Sequence, residues 1–425
     1  MSGTVGKYTL KSRLGTGASS VVYLAVDTFT QGEVALKVID SRLFRDPNRG
    51  KAIRTQLQNE ASLVGKLVHP HIVSITDAVI SDELAYIAME YVPGGNLVTR
   101  AQPGALLPIE HAIEIGFKCC GALDYAYRAG IIHRDIKPAN IMVVKGTEIK
   151  VADFGAAYLQ LSDTTQISFI GSPAYMSPEQ IGGGTLGPQS DMFSLAVVLY
   201  QLLTGQKPFN ADTPLEMITK IRLERPIPMT SLRSDLPPAL EKVVAVALEK
   251  DPANRYGTWA EFALELVKLG RLSVYEQNIP DSEKFQLLRA LPVLKSFADP
   301  EVWELVHASR WQRIPAHRTV IKEGDAGESL FFLASDEVKV TKQGRLLNVL
   351  RAGECFGEMS YIKGSEMPRQ ATVESMTEVI VAEIARDALE ERMNASCRMN
   401  ILRALLNTLV DRLALADSRI SRIIN

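Results

Sequence analysis

The sequence predicts an α+β protein in two parts: a larger mixed unit, then a small antiparallel barrel or jelly roll with flanking helices. Three observations predict it. Strand-like runs crowd the start, at Tyr8–Val22, Val34–Lys37 and Leu84–Ala88. Helical patterns occupy Ile53–Leu67, the apolar stretch around Cys119 and Cys120, and Ser194–Leu203. After Leu269 the character changes, and short strands alternate with glycine turns from Thr319 to Leu350.

Bulk properties narrow the classes. A chain of 425 residues, 46% hydrophobic and 23% charged, suffices for two or three domains with cores of their own. A net charge of −2 gives no global attraction to nucleic acid or to an anionic membrane. No apolar run approaches the roughly eighteen residues that a membrane span needs. Met1-Ser2-Gly3-Thr4 lacks the layout of a secretory signal, and Gly3 is not the second residue that myristoylation requires. The four cysteines, Cys119, Cys120, Cys355 and Cys397, show no metal-binding spacing and are expected as thiols in a reducing cytoplasm.

From the N-terminus, Leu14-Gly15-Thr16-Gly17-Ala18-Ser19-Ser20-Val21-Val22 places two glycines between strand-like flanks. Backbone N–H groups of Gly15 and Gly17 can then approach a triphosphate closely. Lys37, on the strand Val34-Ala35-Leu36-Lys37, can reach the α- and β-phosphates, and Glu60 in the helical run can hold it there. Any one of these is weak evidence; their order and spacing carry the reading.

The densest chemistry lies in His133-Arg134-Asp135-Ile136-Lys137-Pro138-Ala139-Asn140 and in Asp153-Phe154-Gly155. Asp135 can accept the proton of an attacking hydroxyl, and Lys137 can steady a migrating phosphoryl group. Asn140 and Asp153 offer hard oxygen ligands for magnesium.

With these motifs in place, residues from about Tyr8 to Leu269 resemble the protein-kinase family. The resemblance implies a strand-rich small lobe, a larger helical lobe and ATP between them. It implies a hinge at Met89-Glu90-Tyr91-Val92, with adenine on backbone groups of Glu90 and Val92 and between Val22, Ala35 and Met142. Lys137 two residues past Asp135, with Gly171-Ser172-Pro173-Ala174-Tyr175, is similar to serine/threonine kinases, and Ser172 would bridge Asp135 and Lys137. Asp191 would take backbone N–H bonds from the catalytic loop, and Glu179 of Ser177-Pro178-Glu179 would pair with Arg255. Arg134 implies control by phosphorylation, for which Thr164, Thr165 and Ser168 are the acceptors. The stretch Ala156-Ala157-Tyr158-Leu159, however, lacks the basic residue that often holds such a phosphate. Ser20 stands where a third loop glycine is common.

The domain boundaries are read as 8–269 for the kinase domain, 270–284 for a linker, 285–395 for the second domain and 396–425 for a C-terminal helix. Asp281 or Ser282 is expected to cap a helix running through Phe285, Leu288, Leu291 and Leu294. Further on, Phe356-Gly357-Glu358 and Pro368-Arg369-Gln370-Ala371-Thr372-Val373 make a compact anion pocket. Glu358 can accept from a ribose hydroxyl. Arg369 can fork onto a phosphate, helped by backbone N–H groups of a short helical turn. The stretch resembles the cyclic-nucleotide-binding domain, which implies that Arg369 binds the cyclic phosphate and Glu358 the ribose 2′-OH, within a cassette of Gly357, Glu358, Arg369, Gln370, Ala371 and Thr372. Ser365-Glu366-Met367 lengthens that cassette, and Asp336 stands where a turn glycine is usual. Gln370 matches neither the alanine common in cyclic-AMP binders nor the threonine of cyclic-GMP binders, and the reading leans to cyclic AMP.

In the tail, Leu402, Leu406, Leu409, Leu413, Ala416, Ile420 and Ile423 follow a four-three spacing. This predicts either a short coiled coil and a homodimer or a helix folded back on its own domain. The expected partners are protein substrates, ATP with magnesium, and a cyclic nucleotide. The competing readings are a pseudokinase scaffold and a constitutive kinase with a barrel that only dimerises.

Overall fold

The computed structural model describes residues 3–17, 20–40, 54, 58, 67–81, 83–154, 158–159, 173–270, 279–363, 368–391 and 393–424. The chain divides into two compact units, Met1–Ser273 and Val274–Asn425.

The first unit opens with an antiparallel sheet of β1 (Thr4–Val5), β2 (Tyr8–Thr16), β3 (Ser20–Asp27), β4 (Glu33–Ile39), β5 (Ile75–Ile80) and β6 (Ala85–Glu90), in the order β1-β2-β3-β4-β6-β5. Strand β6 shows why the sheet holds. Tyr86 and Ala88 join Tyr8, Ala25 and Leu36 on one face, while Ala85 and Ile87 join Ile39 on the other. Side chains alternate between faces at a period of two, and here both faces are apolar and covered.

The helical part contains α1 (Ile109–Arg128), α2 (Pro178–Gly182), α3 (Pro188–Thr204), α4 (Pro214–Leu223), α5 (Pro238–Ala247) and α6 (Trp259–Gly270). Helix α1 packs on both α3 and α6. Gly116 permits this, because a Cβ there would lie 2.9 Å from Leu199 Cδ2 and 3.2 Å from Leu266 Cδ1. Two short two-stranded ladders follow α1: β7 (Ile131–Ile132) with β10 (Tyr158–Leu159), and β8 (Ile141–Lys145) with β9 (Glu148–Val151). The β8–β9 hairpin sets Asn140 just before its first strand and Asp153 just beyond its second, and the Ala152 N–H closes the pair on the Asn140 carbonyl at 2.8 Å.

The second unit begins with α7 (Asp281–Arg289) and α8 (Asp299–Ala308). The expected cap is corrected here: Pro280 occupies the cap position and makes no side-chain cap bond. The helix also stops earlier than expected, at Arg289, and Leu294 belongs to a separate turn that opens with Pro292. Proline has no N–H to continue a helical ladder and its ring clashes with the preceding turn.

Strands β11 (Arg310–Ile314), β12 (Thr319–Ile321), β13 (Leu330–Leu333), β14 (Glu337–Lys342), β15 (Arg345–Arg351), β16 (Cys355–Phe356), β17 (Thr372–Ser375) and β18 (Val379–Ile384) form two antiparallel sheets, ordered β11-β18-β13-β16 and β12-β17-β14-β15. One core joins them, with Phe331, Leu333 and Val381 from the first sheet meeting Val338, Leu350 and Val373 from the second. Asp336 sits at φ 61°, the left-handed conformation that the sequence position required.

Helix α9 (Glu358–Lys363) follows β16, and α10 (Ala395–Ile424) closes the unit with 30 residues, about 45 Å of helix. On α10, Cys397, Ile401 and Leu405 are buried, whereas Leu402, Leu406 and Leu413 are 41%, 60% and 64% exposed. One stripe of the helix therefore packs inward, as a helix folded back on its own domain would, while Leu402, Leu406 and Leu413 of the four-three pattern are exposed and Leu409 is half-buried. Among the described residues, no helix is long and apolar enough to cross a membrane.

Candidate functional site

In the first unit, the hairpin between β2 and β3 brings Gly15 opposite Val22, and the Gly17 N–H donates to the Ser20 carbonyl at 2.8 Å. One strand over, Lys37 pairs across from Val22, and Ala35 from Met89. Val73, Val92 and Ala152 form a small apolar cluster against which Met89 and Met142 pack. The Glu90 carboxylate is committed to Lys150 at 2.9 Å and to Ser74 Oγ at 3.2 Å, so a ligand at this edge would meet Glu90 through its backbone.

Below lies the charged loop. Lys137 Nζ donates to Asp135 Oδ2 at 2.6 Å, and Asn140 Nδ2 donates to the same oxygen at 3.0 Å and to the Asp135 carbonyl at 2.8 Å. Asn140 therefore spends its amide donors on Asp135 and keeps its Oδ1 for another partner. Lys37 Nζ reaches Asp153 Oδ1 at 2.7 Å. Desolvation pushes the Asp153 carboxyl up, but the Lys37 ammonium, together with His133 and Lys137, more than offsets this and holds it below the usual carboxylate range. These oxygens and this carboxylate suit a hard divalent cation such as magnesium.

The loop is held from beneath. Asp191 Oδ2 accepts the His133 N–H at 2.7 Å and its Oδ1 accepts the Arg134 N–H at 2.8 Å. Its burial raises its pKa, against the pull of His133 and those two N–H groups. Gln180 Nε2 donates to the Arg134 carbonyl at 2.8 Å. Arg134 and Asp153 both take left-handed backbone, at φ 67° and 63°, which non-glycine residues adopt only when neighbours enforce it. Phe154 is buried against the His133 ring, 4.4 Å between centroids, and His133 Nε2 lies 3.0 Å from the Ala152 carbonyl. Farther off, Arg255 grips Glu179 with two bonds, at 2.8 and 2.9 Å, and Ser190 Oγ adds a third at 2.7 Å.

The second unit holds a cavity of about 350 Å³. It falls in the range of small-molecule sites, whose walls are mainly apolar with a few placed polar groups. Ile321, Val340, Leu350 and Val373 are among its apolar walls, and Glu358, Arg369, Gln370 and Ala371 line it from the cassette. Arg369 is only 7% exposed. Its Nη1 donates to the carbonyls of Ser329 at 2.9 Å and Gly357 at 3.2 Å, and its guanidinium lies 5.6 Å from the Phe331 ring centroid. Among the described residues nothing accepts from Nε or Nη2. Gly327 leaves that edge clear: a Cβ there would stand 2.8 Å from Nη2 and 2.9 Å from Nε. Burial lowers the Arg369 pKa, while the Glu383 and Glu358 carboxylates oppose it. A buried guanidinium with an open fork is a receptor for an anion.

The protein kinase domain model matches residues 8–267. The chain belongs to the protein kinase family. A second model, the cyclic nucleotide-binding domain, matches residues 311–396. Relatives of the kinase part include the serine/threonine-protein kinase PknB of Mycolicibacterium smegmatis, 39% identical over 297 residues, covering 67% of this chain and 47% of the relative. PknB of Mycobacterium leprae is 39% identical over 271 residues, covering 62% and 43%. PknB of Mycobacterium tuberculosis is 38% identical over 292 residues, covering 66% and 46%. The chain thus spans slightly less than half the length of these curated relatives.

Gly15, Gly17, Val22, Ala35, Lys37, Glu90, Val92, Asp135, Lys137, Asn140, Met142 and Asp153 all lie within the first unit; direct contacts join Lys37 to Asp153 and Lys137 and Asn140 to Asp135, and ladder pairing joins Gly15 to Val22 and Val22 to Lys37. Glu60, Gly155, Thr164, Thr165, Ser168, Ser172 and the Ser365-Glu366-Met367 insertion lie outside the described residues. In the cyclic-nucleotide-binding domain, Gly357, Glu358, Arg369, Gln370 and Ala371 line the cavity, but Thr372 is not among the lining residues and its Oγ1 accepts the Glu323 N–H at 3.0 Å. Sequence reasoning missed Gln180, Lys342 and Asn348. The strand period would have placed Lys342 on the Val340 face; nothing local marks Gln180.

Proposed function

We propose that this protein is a serine/threonine protein kinase that moves the γ-phosphoryl group of ATP to protein hydroxyls, and that a cyclic nucleotide bound by the second unit controls it. The observation that carries the catalytic reading is the convergence of Lys137 and Asn140 on one Asp135 oxygen, beside an Asp153 held by Lys37. Magnesium-ATP supplies the transferable group and part of its charge neutralisation, with Asn140 Oδ1 and Asp153 as the metal-holding oxygens. Asp135 accepts the proton of the substrate hydroxyl, and the Lys137 ammonium beside it steadies the phosphoryl oxygens as they pass. Lys37 orients the α- and β-phosphates, with Glu60 as its partner. Glycine at positions 15 and 17 lets the backbone of the β2–β3 hairpin come close to the phosphates, although the Gly17 N–H itself is held by the Ser20 carbonyl, and Val22, Ala35 and Met142 enclose adenine. This is catalysis by position and charge. A scaffold without activity would be expected to lack one of Lys37, Asp135, Asn140 or Asp153; all four are present. The test is phosphate transfer to a generic basic protein by the purified chain with magnesium and ATP, with and without cyclic nucleotides. No transfer to the chain itself or to the substrate under any condition overturns the reading.

Control by a cyclic nucleotide rests on the open fork of Arg369 and the neighbouring Glu358. A coupling of about 1–3 kcal/mol between pocket and cleft would make a useful switch. Arg369→Ala is expected to weaken cyclic-nucleotide binding by roughly 2–5 kcal/mol, a loss of at least about 30-fold. Calorimetry on the full chain reads this directly, and unchanged affinity would remove Arg369 from the site. Between cyclic AMP and cyclic GMP, Gln370 separates little, since its Nε2 already donates to the Pro368 carbonyl at 2.8 Å.

The exposed stripe of α10 is proposed to pair with the same stripe of a second copy. Leu402, Leu406 and Leu413 keep coiled-coil spacing on a helix whose neighbouring stripe, Cys397, Ile401 and Leu405, is buried. Sedimentation at micromolar concentration should give a dimer, and Leu406→Glu a monomer; a wild-type monomer refutes the pairing.

A further inference from the structure

The cavity has a second polar end that the cassette does not supply. Ladder partners run in a row across the sheet: Ile321 faces Val373, Val373 faces Val340, and Val340 faces Asn348 on the edge strand β15. Three apolar side chains and then a carboxamide thus share one face. Lys342 lies two residues beyond Val340 on β14, past a register irregularity in the β14–β15 ladder, and both Lys342 and Asn348 line the cavity with exposed side chains. Among the described residues, neither the Lys342 ammonium nor the Asn348 carboxamide has a hydrogen-bonding or ionic partner. Gln370, beside Arg369, is turned onto its own cassette carbonyl. Apart from the rest of the Gln370 amide, the polar groups in position to read a nucleobase are those of the β14–β15 hairpin.

The chemistry of the two groups is unequal. An ammonium has three donors and no acceptor, whereas a carboxamide can present either. A 6-oxo purine offers two adjacent acceptors, O6 and N7; adenine replaces O6 with an amino donor. Asn348 can turn its amide to suit either edge. Lys342 cannot, and facing an adenine amino group it would oppose donor to donor.

The geometry points to Lys342 as the base-discriminating residue of this pocket, with Asn348 beside it, and to a cyclic nucleotide of a 6-oxo purine, guanine above adenine, as the preferred ligand. This rests on the reading of the cavity as a cyclic-nucleotide site, and it replaces the lean to cyclic AMP, which Gln370 did not decide. Calorimetry on the full chain with cyclic GMP, cyclic AMP and cyclic IMP tests it. Cyclic IMP shares O6 and N7 with guanine but lacks the 2-amino group.

The expected result is that cyclic GMP and cyclic IMP both bind about 5- to 150-fold tighter than cyclic AMP, the range one good side-chain contact to a base discriminates. Lys342→Met and Lys342→Gln should each bring that ratio to within about twofold by weakening the two oxo-purines, since both remove the ammonium that tells O6 from an amino group. Equal or tighter binding of cyclic AMP, or a ratio that survives both substitutions, overturns the inference and leaves the pocket reading standing. Failure of all three nucleotides to bind the wild-type chain overturns the pocket reading, and this inference with it.

Discussion

Asp135→Asn lowers the turnover of phosphoryl transfer by about 10²–10⁴-fold, the span of a lost general base, and leaves ATP affinity within about twofold. The substitution keeps shape and removes the charge on which Lys137 and Asn140 converge, at 2.6 and 3.0 Å from Asp135 Oδ2. The loop itself should survive, because its backbone hangs on Asp191 and not on Asp135. Nucleotide titration and single-turnover phosphorylation on the same preparation separate the two quantities. A turnover within about tenfold of wild type would be too small a loss for a general base and would take the role from Asp135.

Glu179→Ala unfolds the first unit at lower temperature, by an amount equivalent to about 3–5 kcal/mol, because it strands a buried cation. The Arg255 side chain is fully buried and that of Glu179 is 9% exposed. Arg255→Ala should cost at least as much, since Arg255 also donates to the carbonyls of Glu249, Gln189 and Lys250, at 2.8, 2.8 and 3.1 Å. The pair has a pH signature. Burial pushes the Glu179 carboxyl up, yet the Arg255 guanidinium overcomes this and leaves it below the ordinary glutamate value. Its contribution is therefore present above the unfolded pKa, about 4.3, and is lost as pH falls through the lower folded value. Thermal melts of the wild type should show that loss below about pH 4.3, and melts of Glu179→Ala should lack it. Coincident melts of the two proteins at pH 7 would mean that the pair contributes no stability.

What could be read from the residues, and what could not, follows from range. Asp135, Lys137 and Asn140 lie within one short loop, so spacing alone puts them together. Lys37 and Asp153 are far apart in sequence, yet each sits in a motif whose surroundings mark it. The Asp191 anchor and the Glu179–Arg255 pair were also legible, because the resemblance tied each to a motif. Gln180 was not: its bond to the Arg134 carbonyl depends on where α2 lies, and a glutamine in a first helical turn reads as ordinary capping, which it also performs toward Ser177. The end of α7 was misjudged because leucine spacing outweighed Pro292. Lys342 and Asn348 escaped notice because polar residues beside a hairpin turn usually face water. Both are exposed here too, and only the ladder Ile321–Val373–Val340–Asn348 shows that Asn348 ends an apolar row beside the cavity.

The left-handed backbone at Arg134 and Asp153 bears on how this protein can be improved. Each such residue holds a conformation that costs on the order of 1–3 kcal/mol, and glycine would relieve it. A laboratory selection that rewarded heat resistance alone would therefore drift toward glycine at both places and discard the Asp153 carboxylate on the way. Robustness and chemistry pull in opposite directions at these two positions, so any hardened variant should be screened for turnover before it is kept.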